Sequence, residues 1–233
     1  MNWLLNLLRR LLGLAFRCPK TYELLLGYSL DKLGQRRDKQ LELLESAISK
    51  NADKAIDVKE CAHYFWLASK ALGIKLTAEM LPHIFSQLGH ETGGFRFLVE
   101  HSPKGEDAYQ YFESKYGMRK DLGNTEKGDG YKYRGRGFVH ITGRANYGHF
   151  GKKLGIDLIN EPDLASDKLI AAKIALLYFV ERMLRTISYR DFEKDVFEVS
   201  KAINHPSAKT VEQINGFADR MKRALQTKEA LQC

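Results

Sequence analysis

A helix that has to end at two adjacent glycines constrains the fold of this chain more than any other feature of its sequence. In residues 85–100, FSQLGHETGGFRFLVE, apolar residues recur at helical spacing, so a buried helix is expected to end near Glu91. Gly93 and Gly94 follow at once, and glycine costs about 1 kcal/mol relative to alanine inside a helix. The chain is therefore predicted to fold back here and to bring Glu100 towards Glu91, whereas a continuous helix would hold them roughly 13 Å apart. Two carboxylates that face each other across a cleft are the groups that glycoside hydrolysis requires.

The composition indicates one main domain and an anionic partner. A chain of 233 residues and 26.7 kDa can bury one core, with or without an appendage. Its net charge of +8 and pI near 9.3 are compatible with three kinds of anionic partner: nucleic acid, acidic lipid or the polymers of a bacterial wall. Charge alone does not choose among them. The three cysteines lack CxxC spacing, so neither a disulfide framework nor a zinc site is indicated.

Residues 1–53 are predicted to form a helical extension, and residues 54–233 the main domain. The first sixteen residues form an amphipathic pattern, in which Arg9 and Arg10 argue against a membrane-spanning helix. No signal-peptide cleavage pattern follows, so a conventional signal peptide is not expected. Contact of residues 1–16 with a membrane surface and docking on the protein's own core both remain open, and docking is favoured.

The rest of the chain is predicted to be mainly helical. Asp57 is expected to cap a helix that stops at Gly73, and Thr77 to cap the helix that leads to Glu91. Strand patterns are few, and a long glycine-rich run separates the early helices from the late ones. The remaining predicted helices cover residues 106–116, 144–154, 167–184, 191–203 and 210–224, and the two predicted strands cover residues 131–133 and 138–142.

Several common catalytic motifs are excluded by their spacing. The run GRGFVHITG contains neither GxGxxG nor GK[ST], so it is not a nucleotide-binding loop. A zinc-binding HExxH motif would require histidine at position 94, where Gly94 stands. The chain also lacks the GxSxG pattern of a serine nucleophile. No metal and no cofactor are therefore expected.

The glycine-rich run alternates cationic and aromatic residues, as a substrate groove would. Tyr133, Arg134 and Arg136 lie within it, after Arg119 and Lys132. Aromatic faces and multiple hydrogen-bond donors suit a sugar polymer. The same alternation is compatible with single-stranded nucleic acid, so composition leaves that alternative open.

Several motifs, taken in order, resemble the family 19 glycoside hydrolases. They are GHETGGF, the glutamate of FLVE, the run RKDLGNTEKGDGYKYRGRGFVHITGRANYG, and QINGFADR, and the likeness as a whole covers roughly residues 57–225. The family includes plant-type chitinases and a branch of phage endolysins. The resemblance implies a mainly α, lysozyme-like, two-lobed domain with a small β element beside a cleft. It also implies hydrolysis in one displacement, with inversion at the anomeric carbon.

The resemblance also assigns roles to individual residues. Glu91 would be the general acid, Glu100 the general base, and Thr142 the residue that helps to hold the attacking water. The implied substrate-binding residues are His90, Tyr133, Arg134, Arg136, His140, Asn146 and Asn215, of which the three in YRGRG would line or brace the cleft.

Two departures from the family pattern bear on the substrate. His140 stands where the family usually has glutamine, which bears on substrate preference and pH profile. The tryptophan-rich helix signature is absent, which argues against a plant-type chitinase. The expected function is an endolysin-like peptidoglycan hydrolase, with a chitinase as the alternative and a non-catalytic wall-binding protein as a third candidate.

The expected partner is peptidoglycan or a related amino-sugar polymer, with no nucleic acid, and the protein is expected to be a monomer. It would be made in the bacterial cytoplasm and act at the cell wall, through a holin-type lesion or carried in a virion.

Overall fold

The computed structural model describes residues 38–183 and 186–231, and over these residues the protein is mainly helical, as predicted. Extended backbone is limited there to two antiparallel bridges, Val99 with Arg136 and Arg136 with Ile141. None of the helices in this part of the chain combines the length and the apolar character that crossing a membrane requires. The α-helices of the described residues are α1 (Lys39–Ser49), α2 (Val58–Leu72), α3 (Leu81–Glu91), α4 (Ala108–Tyr116), α5 (Asp129–Lys132), α6 (Arg144–Leu154), α7 (Lys168–Arg182), α8 (Phe192–Asn204) and α9 (Phe217–Leu231), and short 3-10 helices cover Lys120–Leu122, Pro162–Ser166 and Val211–Gln213.

Local capping signals set the bounds of α2. The Asp57 carboxylate accepts hydrogen bonds from the N–H groups of Lys59 and Glu60, and Gly73 ends the helix at a φ of 66°. Both ends agree with the sequence prediction.

At α3 the prediction of a Thr77 cap is wrong, because the helix begins only at Leu81. Its second residue is proline, which lacks an N–H and is tolerated in a first turn.

Helix α3 lies at the centre of the domain. It packs against α9, α1 and α8, while α2 packs against α7 and α1. Every residue from Leu81 to Gly89 is buried, including the polar His83, Ser86 and Gln87. A helix that is buried on all sides has a fixed position, so α3 holds its last residue, Glu91, firmly in place.

The compact unit begins at Lys39, earlier than the predicted boundary at residue 54. Leu44, Ala47 and Ile48 of α1 are fully buried, because this helix packs against α2, α9 and α3. The sequence of α1 is rich in charged residues, so its buried face was not predicted. The predicted amphipathic helix over residues 1–16 lies outside the described residues.

Three of the predicted elements are wrong in type or length. Residues 131–133 are not a strand, because the chain turns through α5 there. Of residues 138–142 only Ile141 forms a bridge, since His140 has a φ of 45° and the chain turns at it. The last predicted helix, 210–224, is divided by Gly216, which has a φ of 67°.

Candidate active site

The chain folds back after Glu91, as the double glycine predicted. Glu91 is the last residue of α3, and Gly93, Gly94 and Phe95 follow with φ values of 57°, 74° and 68°. Three consecutive residues in the left-handed region reverse the chain at the end of the helix. Phe95 adopts this conformation although it is not a glycine, and its side chain is buried in the core.

Thr92 fixes the reversal by two hydrogen bonds. Its hydroxyl donates to the Leu88 carbonyl at 2.6 Å and accepts from the Phe95 N–H at 2.8 Å, with its side chain fully buried. Gly94 lies against another loop, where a Cβ would come within 2.5 Å of the Asp53 backbone nitrogen. A side chain at Gly94 would therefore displace backbone.

An arginine from α9 holds the Glu91 carboxylate. Arg220 is only 1% exposed, and its Nη2 donates to Glu91 Oε1 at 2.5 Å. Its Nη1 donates to Gln87 Oε1 at 2.6 Å, its Nε to the Asn215 carbonyl at 3.2 Å, and Gln87 Nε2 donates to Ser200 Oγ at 3.0 Å. Arg220 lies in the motif QINGFADR but was not among the predicted site residues.

His90, which precedes Glu91, is held by a second group from α9. Its Nδ1 lies 2.8 Å from Asp219 Oδ2, which also accepts a hydrogen bond from Arg223 Nε at 2.7 Å. Burial would raise the pKa of Asp219, but the hydrogen bonds from His90 and Arg223 outweigh it, so the pKa lies below its usual value. Gly216 leaves room for the His90 ring, since a Cβ at this position would overlap the ring.

Glu100 lies in the small extended region. The two antiparallel bridges place Glu100, Gly135 and Thr142 side by side on three adjacent segments. Glu100 donates its N–H to the Gly135 carbonyl at 2.9 Å, and the Gly135 N–H donates to Glu100 Oε2 at 3.2 Å. A Cβ at Gly135 would lie 2.9 Å from Glu100 Oε2 and 3.1 Å from His140 Cβ, so only glycine leaves the carboxylate in this position.

Two side chains from the end of α4 give the Glu100 carboxylate further hydrogen bonds. Lys115 Nζ donates to Oε1 at 2.8 Å, and the Tyr116 hydroxyl lies 2.9 Å from Oε1 and 3.1 Å from Oε2. Burial alone would lower the pKa of Lys115, but its hydrogen bonds to Glu100 and Tyr116 outweigh this and raise it. Burial raises the pKa of Tyr116 to about 12, so its hydroxyl stays protonated at neutral pH. A cation and a phenol from α4 thus hold the Glu100 carboxylate in place.

A chain of contacts from α6 and α7 connects Thr142 with the surroundings of Glu91. Asn146 Nδ2 donates to the Thr142 carbonyl at 2.7 Å, and Arg182 Nη2 donates to Asn146 Oδ1 at 3.2 Å. Arg182 Nη1 also donates to the Tyr178 hydroxyl at 3.3 Å. The pKa of Tyr178 is raised, first by burial and also by the charge of Glu91, while Arg182 opposes the rise.

Two of the residues predicted to bind substrate are buried instead. Tyr133 is fully buried and donates its hydroxyl to the Ile159 carbonyl at 3.1 Å. Arg136, 2% exposed, donates to the Tyr147 hydroxyl at 2.9 Å and pairs with Asp163 at 2.7 Å. These side chains brace the glycine-rich run from inside, a placement that the alternation of residue types could not reveal.

The other predicted binding residues keep part of their surface accessible. The Arg134 guanidinium lies 4.3 Å from the centre of the Tyr131 ring, and His140 Nε2 lies 2.7 Å from the Phe97 carbonyl oxygen. Asn215 is exposed, next to the backbone carbonyl that Arg220 uses. The structure thus groups Glu91 with His90 and Asn215, and Glu100 with Thr142 and His140.

Known proteins resemble this chain in sequence. The model of glycoside hydrolase family 19, described as chitinase class I, matches residues 75–202. A glycosyl hydrolase family 19 domain-containing protein from Haemophilus influenzae is 36% identical over 116 residues, which cover 40% of this chain and 58% of that protein. Endochitinase 4 from Solanum tuberosum is 37% identical over 103 residues, 41% of this chain and 33% of that enzyme. The chain thus spans between a third and just over half of the length of these two relatives.

Solved structures share the fold at low sequence identity. Chitinase C from Streptomyces griseus has a TM-score of 0.55 at 18% identity, with 84% of this chain and 96% of that chain covered. A class IV chitinase from Zea mays has a TM-score of 0.53 at 20% identity, with 81% and 90% covered. Because the family model matches more than half of the sequence, this chain belongs to glycoside hydrolase family 19.

Proposed function

We propose that the protein hydrolyses β-1,4 glycosidic bonds of bacterial peptidoglycan by inverting acid/base catalysis. The observation that carries this proposal is that Glu91 and Glu100 are each held by different partner side chains on separate elements of the fold. Glu100 accepts hydrogen bonds from an ammonium group, a phenol and a backbone N–H, and it lies beside Thr142 in the small extended region. Glu91 lies at the end of a buried helix, and within the described residues its one ion pair is with Arg220.

In this mechanism Glu91 gives its proton to the leaving glycosidic oxygen as the C–O bond breaks. Arg220 then balances the charge that remains on the Glu91 carboxylate. Glu100 takes a proton from the water that attacks the anomeric carbon from the opposite face, and Thr142, on a neighbouring extended segment, orients this water. An inverting reaction requires about 6.5–9.5 Å between the two carboxyl groups, to admit the water.

Charge favours peptidoglycan as the substrate. The chain carries a net charge of +8 at pH 7, and a basic protein is drawn to an anionic wall by long-range attraction. In this proposal the protein acts at the cell wall as a monomer. Chitin is the second candidate, because several relatives bear the name endochitinase.

The test is release of reducing sugar from purified peptidoglycan and from colloidal chitin. Wild type is compared with Glu91→Gln and Glu100→Gln, and with Glu161→Gln as an exposed control. Each catalytic variant should lose about 10³-fold in rate, since acid/base groups contribute on the order of 10²–10⁴-fold, while the control stays at the wild-type rate. The product of the first turnover should be the α-anomer by NMR.

The other outcomes decide between the candidates. Release from chitin alone would select the chitinase, and a β-anomer would contradict the inverting mechanism. Sedimentation with cell walls without hydrolysis of either polymer would select a binding protein.

A further inference from the structure

A cavity of about 290 Å³ lies at the other end of the helix that carries Glu91. Its walls come from the start of α3, the first turn of α8, the end of α9 and the segment at Tyr189. His83, which lines it, precedes Glu91 by eight residues, so the cavity is roughly 12 Å from Glu91 along the helix axis. It is therefore separate from the catalytic glutamates.

The histidine in its wall is buried without a hydrogen-bond partner at one ring nitrogen. His83 is 2% exposed, and its Nδ1 finds no partner among the described residues. The centre of its ring lies 5.1 Å from the centre of the Phe192 ring on α8. Burial lowers the pKa of His83 to about 4, with Asp195 opposing and Lys228 adding to the fall, so the ring is neutral at pH 7. Unsatisfied buried polar groups are few in native structures, and each calls for an explanation.

Among the described residues, the charged groups that line the cavity form no ion pairs with one another. The Lys228 ammonium, half-buried, lies 4.4 Å from the centre of the Phe192 ring, and no carboxylate of the described residues lies within ion-pair distance of it. Arg190 and Glu79 likewise have no ion-pair partner within the described part of the chain. The buried carboxylate of Asp195 is already used by hydrogen bonds from the N–H groups of Ser188 and Tyr189. Two cations without an ion-pair partner in the described part of the chain thus border a cavity whose walls also carry two carboxylates and two aromatic rings.

We propose that this cavity binds the carboxylate end of a short peptide. The carboxylate would pair with Lys228 and Arg190, and the apolar side chains would pack against Phe192 and Tyr189. This proposal rests on the proposed function for its source of ligand, because the stem peptides of peptidoglycan end in a free carboxylate whereas chitin has none. A peptide site on the catalytic domain would then distinguish the two polymers.

The test measures binding of acetyl-lysyl-D-alanyl-D-alanine to the full chain by calorimetry, beside its C-terminal amide and its all-L form. The free acid should bind at least ten times more tightly than the amide. Lys228→Met should reduce affinity for the acid at least tenfold, while Lys222→Met, an exposed lysine on the same helix, should leave it unchanged. Equal affinity for acid and amide, or no loss in Lys228→Met, would overturn the proposal, and equal affinity for the all-L peptide would overturn the stem peptide as its source.

Two further measurements keep this test independent of the catalytic proposal. Glu91→Gln should bind the peptide as tightly as the wild type, because the cavity lies at the opposite end of α3. A thermal unfolding curve of Lys228→Met that matches the wild type shows that a loss of binding is not a loss of fold. If the protein binds the peptide but hydrolyses neither polymer, only the proposed function is contradicted. If it hydrolyses peptidoglycan but does not bind the peptide, only the peptide site is contradicted.

Discussion

The two ends of α3 differ in how their polar side chains are satisfied. At the C-terminal end, Arg220 donates to both Glu91 and Gln87, and a carboxylate holds His90. At the N-terminal end, His83 is buried as deeply as Arg220, yet its Nδ1 has no partner among the described residues. One end is therefore fixed in a single geometry, while the other retains an unsatisfied group beside a cavity.

The same partner helix accounts for both ends. Helix α9 begins near the end of α3, where it supplies Arg220, and ends near the start of α3, where Lys228 lines the cavity. The two helices thus run antiparallel, and their contact forms both sites. Substitutions at the Glu91 end of α3 show how much of the stability depends on the hydrogen-bond network there. The remainder depends on the packing of α3 against α9.

The largest effect is expected from Arg220→Met. This change leaves Gln87 and Glu91 without their charged partner, and a buried pair that loses one member costs about 3–5 kcal/mol. The free energy of unfolding in urea should fall by about 4 kcal/mol, and hydrolysis should fall with it. Arg223→Met, a more exposed arginine of the same helix, should cost about 1 kcal/mol. Equal losses of unfolding free energy in the two variants would contradict a special contribution of the buried Arg220 network to stability.

Gly94→Ala should have the next largest effect. Its Cβ would lie 2.5 Å from the Asp53 nitrogen at a φ of 74°, so both the clash and the backbone conformation oppose it. We expect a loss of about 3 kcal/mol in urea denaturation. Gly93→Ala meets only the flexible Phe97 ring, at 3.0 Å, and should cost about 1 kcal/mol. The reverse order would contradict the close approach of backbone at Gly94.

The features that local sequence determines were predictable. The Asp57 cap and the Gly73 stop of α2, the span 144–154 of α6, and the reversal after Glu91 each depend on residues close in sequence. The family motifs gave Glu100 its role and added Thr142, and the bridges place the two residues on segments that flank the one with Arg136. The catalytic roles of these residues remain predictions.

The features that depend on distant partners were not predictable. Arg220 acts on a residue 129 positions earlier, and no periodicity shows which arginine turns inward. Lys115 and Tyr116 were missed for the same reason, since their contact with Glu100 depends on how α4 docks. Tyr133 was predicted to bind substrate because aromatic residues between cations suit a groove, but its ring is fully buried.

The smallest expected effect tests the unsatisfied end of α3 through pH. The pKa of His83 is about 4 in the folded protein and about 6.5 when unfolded, so the unfolded chain binds a proton first as pH falls. This group should cost about 2 kcal/mol of stability between pH 8 and pH 5, a loss that begins as pH falls through about 6.5. In His83→Gln that part of the pH dependence should disappear from urea denaturation, whereas His205→Gln, at an exposed histidine, should retain it. An unchanged slope in His83→Gln would mean that the ring finds a partner, and the two ends of α3 would then be alike.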